Sequence, residues 1–121
     1  MKNILLIDDD PFLVRVYRSL MDGVGYQTFF LENGERAVET AIEVKPDLIV
    51  LDLIMPVKDG YETLKALKGN ESTRDIPVVV LTVIQAEEEI KKVTELGAVE
   101  FIVKSNSSFK DVVNKIKEIL R

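Results

Sequence analysis

Five polar residues could act together chemically, because each stands directly behind a short aliphatic run. They are Asp8, Asp9, Asp52, Thr82 and Lys104. Carboxylates are suited to Mg²⁺, since this ion prefers oxygen ligands and also binds phosphate oxygens. A carboxylate can attack phosphorus to form an aspartyl phosphate, while a cation, a lysine and a hydroxyl stabilise the transferring group. These residue types therefore indicate a metal-assisted phosphoryl-transfer site.

Each of these residues also has an ordinary structural explanation when it is taken alone. A run of aspartates behind a strand commonly forms a solvated turn, and Asp10, which precedes a proline, is assigned to a helix N-cap. Asp52 could be a turn residue, Thr82 the end of a strand, and Lys104 a solvated surface residue. Their shared position behind aliphatic runs is what favours a common site.

The composition excludes several kinds of site. The chain has 121 residues, 46% hydrophobic and 31% charged, which is typical of one globular domain. It contains no cysteine and no histidine, so thiolate, disulfide and imidazole chemistry are excluded. The net charge of −5 argues against a broad nucleic-acid surface. No apolar run is long enough to span a membrane and no signal peptide is evident, which predicts a cytoplasmic protein.

Short aliphatic runs alternate with amphipathic segments along the whole chain. Most of the runs are continuous rather than alternating, as expected for strands that are buried on both faces of a parallel sheet. The predicted strands are Ile4–Ile7, Thr28–Leu31, Leu48–Leu51, Val78–Leu81 and Phe101–Val103.

The segments between and after these runs have helical spacing. The first helix is expected to bury one stripe of apolar residues, and Gly97 is expected to end the fourth helix. Ser108 and Asp111 resemble a capping box at the start of the fifth helix. The predicted apolar positions are Phe12, Leu13, Val16, Tyr17, Leu20 and Met21; Ala37, Val38, Ala41 and Ile42; Tyr61, Leu64 and Leu67; Ile90, Val93 and Leu96; and Phe109, Val112, Val113, Ile116 and Leu120.

Five β–α repeats predict a doubly wound α/β fold, with a parallel sheet and helices on both of its faces. The carboxyl ends of parallel strands share one edge of the sheet, and ligands of such folds bind at that edge. The five polar residues all follow predicted strands. The fold therefore predicts that they converge.

Four motifs of this chain resemble those of the receiver domain of two-component response regulators. They are IDDDP at 7–11, DLIMPVKDG at 52–60, LT at 81–82 and VK at 103–104. The resemblance covers essentially the whole chain, residues 1–121, as one receiver domain. It implies a flavodoxin-like (βα)5 fold with strand order 2-1-3-4-5.

The resemblance also implies roles for the acidic residues. Asp52 would be the phosphoacceptor, with Mg²⁺ as the cofactor. Asp9 would bind the metal directly, Asp8 mostly through water, and Ile54 through its backbone carbonyl, and Asp52 would also be one of the metal ligands.

Further roles follow from the same resemblance. Thr82 would donate a hydrogen bond to the phosphoryl group, Lys104 would pair with it, and Phe101 would occupy the position of a switching aromatic residue, unless it is a plain core phenylalanine. The partners would be a histidine kinase or phosphotransfer protein and a downstream target or output domain. The chain would be a signalling phosphoacceptor rather than an enzyme.

Three departures from the family pattern are visible. Ser105 follows Lys104 where the family usually has proline, and Val83 follows Thr82 where it usually has a small residue. Ile54 and Ile84, each two residues past a site residue, are both apolar. These departures leave open a degenerate receiver that serves only as a docking module.

Two other classes remain as alternatives. A phosphotransferase of the haloacid dehalogenase type also uses Asp-x-Asp after its first strand, but Pro11-Phe12 replaces its usual Gly-Thr. A flavodoxin-like cofactor binder would need a loop rich in serine, threonine or glycine after the first strand. The acidic loop of this chain would instead repel a phosphate.

Overall fold

The computed structural model describes the whole chain, residues 1–121, as five strands that alternate with five helices. A short 3-10 turn at Lys104–Asn106 precedes the last helix. The elements are β1 (Asn3–Ile7), α1 (Pro11–Gly23), β2 (Gln27–Leu31), α2 (Ala37–Val44), β3 (Leu48–Leu51), α3 (Gly60–Lys68), β4 (Val78–Thr82), α4 (Glu87–Glu95), β5 (Glu100–Val103) and α5 (Phe109–Leu120).

All five strands are parallel and form one sheet in the order β2-β1-β3-β4-β5. The predicted doubly wound (βα)5 fold and its strand order are confirmed. Ile7 lies opposite Leu51, Leu51 opposite Val80, and Val80 opposite Phe101. Because these residues stand near the carboxyl ends of their strands, the loops that follow meet at one edge of the sheet.

The core consists of two apolar layers, one on each face of the sheet. On one face α1 and α5 pack against strand residues such as Leu6, and Tyr17 contacts Phe109 edge-on at 5.0 Å between ring centroids. On the other face Leu64 of α3 and Val93 of α4 are fully buried. Such burial of large apolar side chains is the main stabilising contribution in a domain of this size.

The helix ends match three sequence predictions. The Asp10 side chain accepts hydrogen bonds from the backbone of Phe12 and Leu13, at 3.0 and 3.3 Å, and so caps α1. Ser108 and Asp111 form the expected capping box of α5. Gly97, with a φ of 109°, follows the end of α4 in the left-handed region that favours glycine.

Two predicted core positions were wrong. Phe12 is 66% exposed, because the buried residues Leu13, Tyr17 and Met21 define a face of α1 from which Phe12 points away, and Val14 packs against the core in that helix instead. Ile42 of α2 is also exposed. Thr82 is the last residue of β4 rather than the residue after it, because its backbone continues the pairing with β5 at Val103.

None of the helices combines the length with the apolar character that a membrane crossing would require.

Candidate functional site

Three carboxylates converge at the carboxyl edge of the sheet. Asp8 and Asp9 follow β1, Asp52 follows the neighbouring strand β3, and one oxygen from each lies within 4.8 Å of the others. Asp8 and Asp52 are 3% and 5% exposed, whereas Asp9 is open to solvent. Such a set of closely spaced oxygen donors suits a hard divalent cation.

The positive charge nearest to this cluster is Lys104, at the end of β5. Its Nζ lies 2.8 Å from Oδ2 of Asp8 and 3.2 Å from Oδ2 of Asp52. Burial alone would lower the pKa of Lys104, but the hydrogen bond to Asp8 and the charge of Asp52 outweigh burial and raise it. Lys104 therefore stays protonated and bridges two of the three carboxylates.

The second oxygen of each buried carboxylate accepts from the backbone. The amide of Asp10 donates to Oδ1 of Asp8 at 2.9 Å, and the amide of Ile54 donates to Oδ1 of Asp52 at 3.2 Å. Burial still raises the pKa of Asp8, although Lys104 and the Asp10 amide act in the opposite direction. These contacts orient both carboxylates before any ligand arrives.

The hydroxyl of Thr82 indicates a ligand, because it is buried without a hydrogen-bond partner. Oγ1 is fully buried and has no hydrogen-bond partner, a condition it shares only with Thr28 of β2 among the side chains of the molecule. A buried hydroxyl without a partner is costly and calls for an explanation. Because Thr82 ends β4, next to β3 and Asp52, a group bound at Asp52 could satisfy it.

The structure thus brings Asp8, Asp9, Asp52 and Lys104 together and places Thr82 at the same edge of the sheet. Ile54, the predicted backbone ligand, lies in the loop that follows Asp52. Phe101 is partly buried on β5 beside Val80 and packs against the core layer on the α4 face. That position fits both a core phenylalanine and a switching aromatic residue.

The departures from the family pattern have visible consequences. The peptide between Lys104 and Ser105 is trans, as are all others in the chain. Val83 and Ile54 are exposed apolar side chains, 56% and 53% accessible, that stand one residue after Thr82 and two residues after Asp52. Ile84 is partly buried against the core.

The sequence analysis missed a close approach of two backbones inside the DLIMPVKDG segment. The Gly60 amide donates to the Leu53 carbonyl at 3.0 Å. A Cβ on Gly60 would stand 2.3 Å from the Asp52 carbonyl oxygen and 2.4 Å from the Leu53 Cα. Gly60 itself, directly before the apolar residues of α3, was the feature of the sequence that could have indicated this close approach.

The same loop holds a strained residue. Val57 has a φ of 67° and is 78% exposed, and the Lys58 amide donates to the Pro56 carbonyl at 2.8 Å. These features describe a γ-turn with positive φ, a conformation that is unfavourable for a β-branched residue.

Val57→Asn is expected to raise the free energy of unfolding by about 1 kcal/mol, because asparagine tolerates a positive φ better than valine does. Urea denaturation measures the change. The matched control is Val99→Asn, which alters an exposed valine whose φ is not positive. Equal changes for the two variants would show that Val57 is not strained.

The sequence model of the response regulator receiver domain matches residues 4–117. The chain belongs to this family. It is 33% identical over 120 residues to the phosphate regulon transcriptional regulatory protein PhoB of Pseudomonas aeruginosa; the match covers 99% of this chain but 52% of PhoB, so the chain spans about half the length of that relative.

In two further comparisons, the match covers most of this chain and most of the protein with which it is compared. The polar-differentiation response regulator DivK of Brucella anthropi is 30% identical over 103 residues, covering 85% of this receiver domain and 84% of DivK. The crystal structure of the BeF3-activated N-terminal receiver domain of Klebsiella pneumoniae RstA superimposes with a TM-score of 0.90 at 26% identity, covering 99% of each chain. The receiver-domain prediction and its fold are thereby confirmed.

Proposed function

We propose that this receiver domain accepts a phosphoryl group on Asp52 from the phosphohistidine of a histidine kinase or phosphotransfer protein. An Asp52 carboxylate oxygen would bond to phosphorus as the bond from phosphorus to the imidazole nitrogen breaks, and the imidazole would keep the electron pair. The observation that carries the proposal is the convergence of Asp52 with Asp8 and Asp9 within 4.8 Å, beside Lys104.

The acidic cluster fits Mg²⁺ because all of its donors are oxygens and one of them, Asp9, accepts no hydrogen bond from the protein. Asp9 and Asp52 would bind the metal directly, Asp8 mostly through water, and Ile54 through its carbonyl. When bound, the metal would neutralise charge on the transferring phosphoryl oxygens.

The remaining site residues would act on the phosphoryl group itself. The buried Thr82 hydroxyl would gain the partner it lacks by donating to a phosphoryl oxygen. Lys104 would exchange part of its contact with Asp52 for a phosphoryl oxygen, since phosphorylation adds about −1.5 to −2 charge. Both contacts would stabilise the negative charge that develops on the phosphoryl oxygens during transfer, through groups that are already oriented.

The output of the domain would be a changed surface for a downstream target or an output domain. Helix α4, β5 and α5 form the surface proposed for this partner, because Thr82 at the end of β4 pairs with Val103 of β5, and Phe101 lies on β5 itself. The alternative, a degenerate receiver used only for docking, is less well supported, since it leaves the acidic cluster and the Thr82 hydroxyl without a use.

Incubation with a phosphodonor and Mg²⁺ is expected to add one phosphoryl group to the wild type and none to Asp52→Asn, as read by intact mass spectrometry. EDTA should prevent the addition. The matched control is Asp22→Asn, which changes an exposed aspartate of α1 and should leave labelling intact. Labelling of Asp52→Asn with loss in Asp8→Asn would indicate the dehalogenase-type alternative.

Loss of the phosphoryl group is expected to be slow, with a lifetime of minutes or longer rather than seconds. Hydrolysis needs an oriented water, and the apolar Ile54 and Ile84 offer it no hydrogen bond. Decay of the phosphoprotein can be followed by mass spectrometry. Ile54→Asn and Ile84→Glu should shorten the lifetime several-fold, whereas Ile42→Asn on α2 should not. A wild-type lifetime of seconds would contradict the prediction.

A further inference from the structure

Helix α4 is weakly held in the fold. Val93 is its only fully buried residue, while Ile90 and the following Leu96 are partly buried. Its N-cap residue, Ala86, offers no side-chain hydrogen bond to the first turn. A helix with so little apolar burial depends on other contacts for its position.

One such contact comes from Tyr61, the second residue of α3. The Tyr61 hydroxyl donates a hydrogen bond to Oε2 of Glu89, and Nζ of Lys92 lies 4.3 Å from the centroid of the Tyr61 ring. Glu89 and Lys92 are three residues apart and therefore share one face of α4. We call Tyr61, Glu89 and Lys92 the α3–α4 clamp.

The α3 end of the clamp is fixed to the backbone that carries the proposed phosphoacceptor. Tyr61 follows Gly60, which contacts the carbonyl of Asp52 and the Cα of Leu53 too closely for a Cβ. The side chain of Asp59 caps the first turn by accepting from the Glu62 amide at 2.9 Å. The start of α3 therefore cannot shift without moving the Asp52 segment.

The α4 end of the clamp lies close in sequence to the other half of the site. Only the four residues 83–86 separate Thr82 from the start of α4. If the Thr82 hydroxyl moves to meet a phosphoryl group, this short connection transmits the movement to α4. The α3–α4 clamp resists this movement of α4, because Tyr61 at its α3 end is fixed beside the Asp52 segment.

We propose that the α3–α4 clamp stabilises the position of α4 in the unphosphorylated protein and thereby opposes loading of the site. This inference rests on the proposed function. By thermodynamic reciprocity, a contact that stabilises only the unloaded arrangement weakens the binding of any group that needs the other arrangement. Tyr61 is thus a regulatory residue that does not touch the reacting atoms.

The first test is hydrogen exchange of the metal-free, unphosphorylated protein, followed by NMR. Tyr61→Phe keeps the ring beneath Lys92 but removes the hydroxyl. The amides of residues 91–95 are expected to exchange roughly tenfold faster, the effect of losing one hydrogen bond to a charged acceptor. Glu89→Gln should give a smaller change in the same direction. The matched control, Tyr26→Phe, alters a tyrosine whose hydroxyl makes no hydrogen bond in the protein. Unchanged exchange in Tyr61→Phe would overturn the proposal.

The second test is a titration with beryllofluoride, a phosphoryl analogue, in the presence of Mg²⁺. Tyr61→Phe is expected to bind it roughly five- to tenfold more tightly than the wild type and Tyr26→Phe do. Faster exchange in α4 without tighter binding would overturn the coupling, since the clamp would then be only a structural contact. A wild type that binds no beryllofluoride would count against the proposed function, and the exchange result would still decide whether the clamp holds α4.

Discussion

Lys104→Met is expected to lower the free energy of unfolding of the metal-free protein by about 3 kcal/mol. Methionine keeps much of the volume of the side chain but removes the ammonium that donates to both Asp8 and Asp52. These two buried carboxylates would then face each other and Asp9 with no positive charge between them. Removing one partner of a buried ion pair is strongly destabilising, because the remaining charge is left uncompensated.

Thermal melting in EDTA should show a decrease of about 10 °C for Lys104→Met. Lys110→Met, at an exposed lysine of α5, is the control and should melt like the wild type. Mg²⁺ should raise the melting temperature of Lys104→Met more than that of the wild type, because a cation that binds the folded state replaces the lost charge. If Lys104→Met and Lys110→Met had the same melting temperature in EDTA, the ion pairs of Lys104 would contribute nothing to the stability of the fold.

Gly60→Ala is expected to lower the free energy of unfolding by about 3 kcal/mol. The added methyl group would overlap the Asp52 carbonyl oxygen and the Leu53 Cα, which are backbone atoms that cannot rotate away. The backbone of the phosphoacceptor would have to shift, so we also expect phosphoryl acceptance to fall. The cause is purely steric, because Gly60 does not have a positive φ.

Urea denaturation, together with mass spectrometry of phosphoryl incorporation, measures both effects. Gly23→Ala is a matched control, because a Cβ at Gly23, the last residue of α1, would meet nothing within 4 Å. That variant should be neutral or more stable by up to about 1 kcal/mol, since alanine favours a helix over glycine. Similar stabilities of the two variants would contradict the close approach at Gly60.

The fold could be predicted because the pattern of the buried strands is strong. Runs such as Leu48–Leu51 are aliphatic without interruption, and four buried residues between helical segments suit a strand covered on both faces. The structure extends three strands by one polar residue at their amino-terminal ends, at Asn3, Gln27 and Glu100, in addition to Thr82 at the carboxyl end of β4. Hydropathy cannot detect these positions, because backbone pairing rather than burial places them in the sheet.

The set of site residues could also be predicted, because parallel strands bring their carboxyl ends together. The contacts that these residues make with one another could not be predicted from the sequence. That Lys104 bridges Asp8 and Asp52 depends on distances between segments that are far apart in the sequence. The contact of Tyr61 with Glu89 has the same origin. Phe12 was misassigned because the apolar stripe of α1 was drawn too wide, whereas the buried face centres on Leu13, Tyr17 and Met21.

The separation of the two edges of the sheet offers a place where another protein could be inserted without disturbing the proposed chemistry. The proposed chemistry lies entirely at the carboxyl edge, whereas the connection between α1 and β2 turns at the opposite edge. There Gly25 has open space around it and a φ of 84°. A circularly permuted fluorescent protein inserted at this turn would leave the acidic cluster intact, and exposed turns of this kind tolerate insertions best.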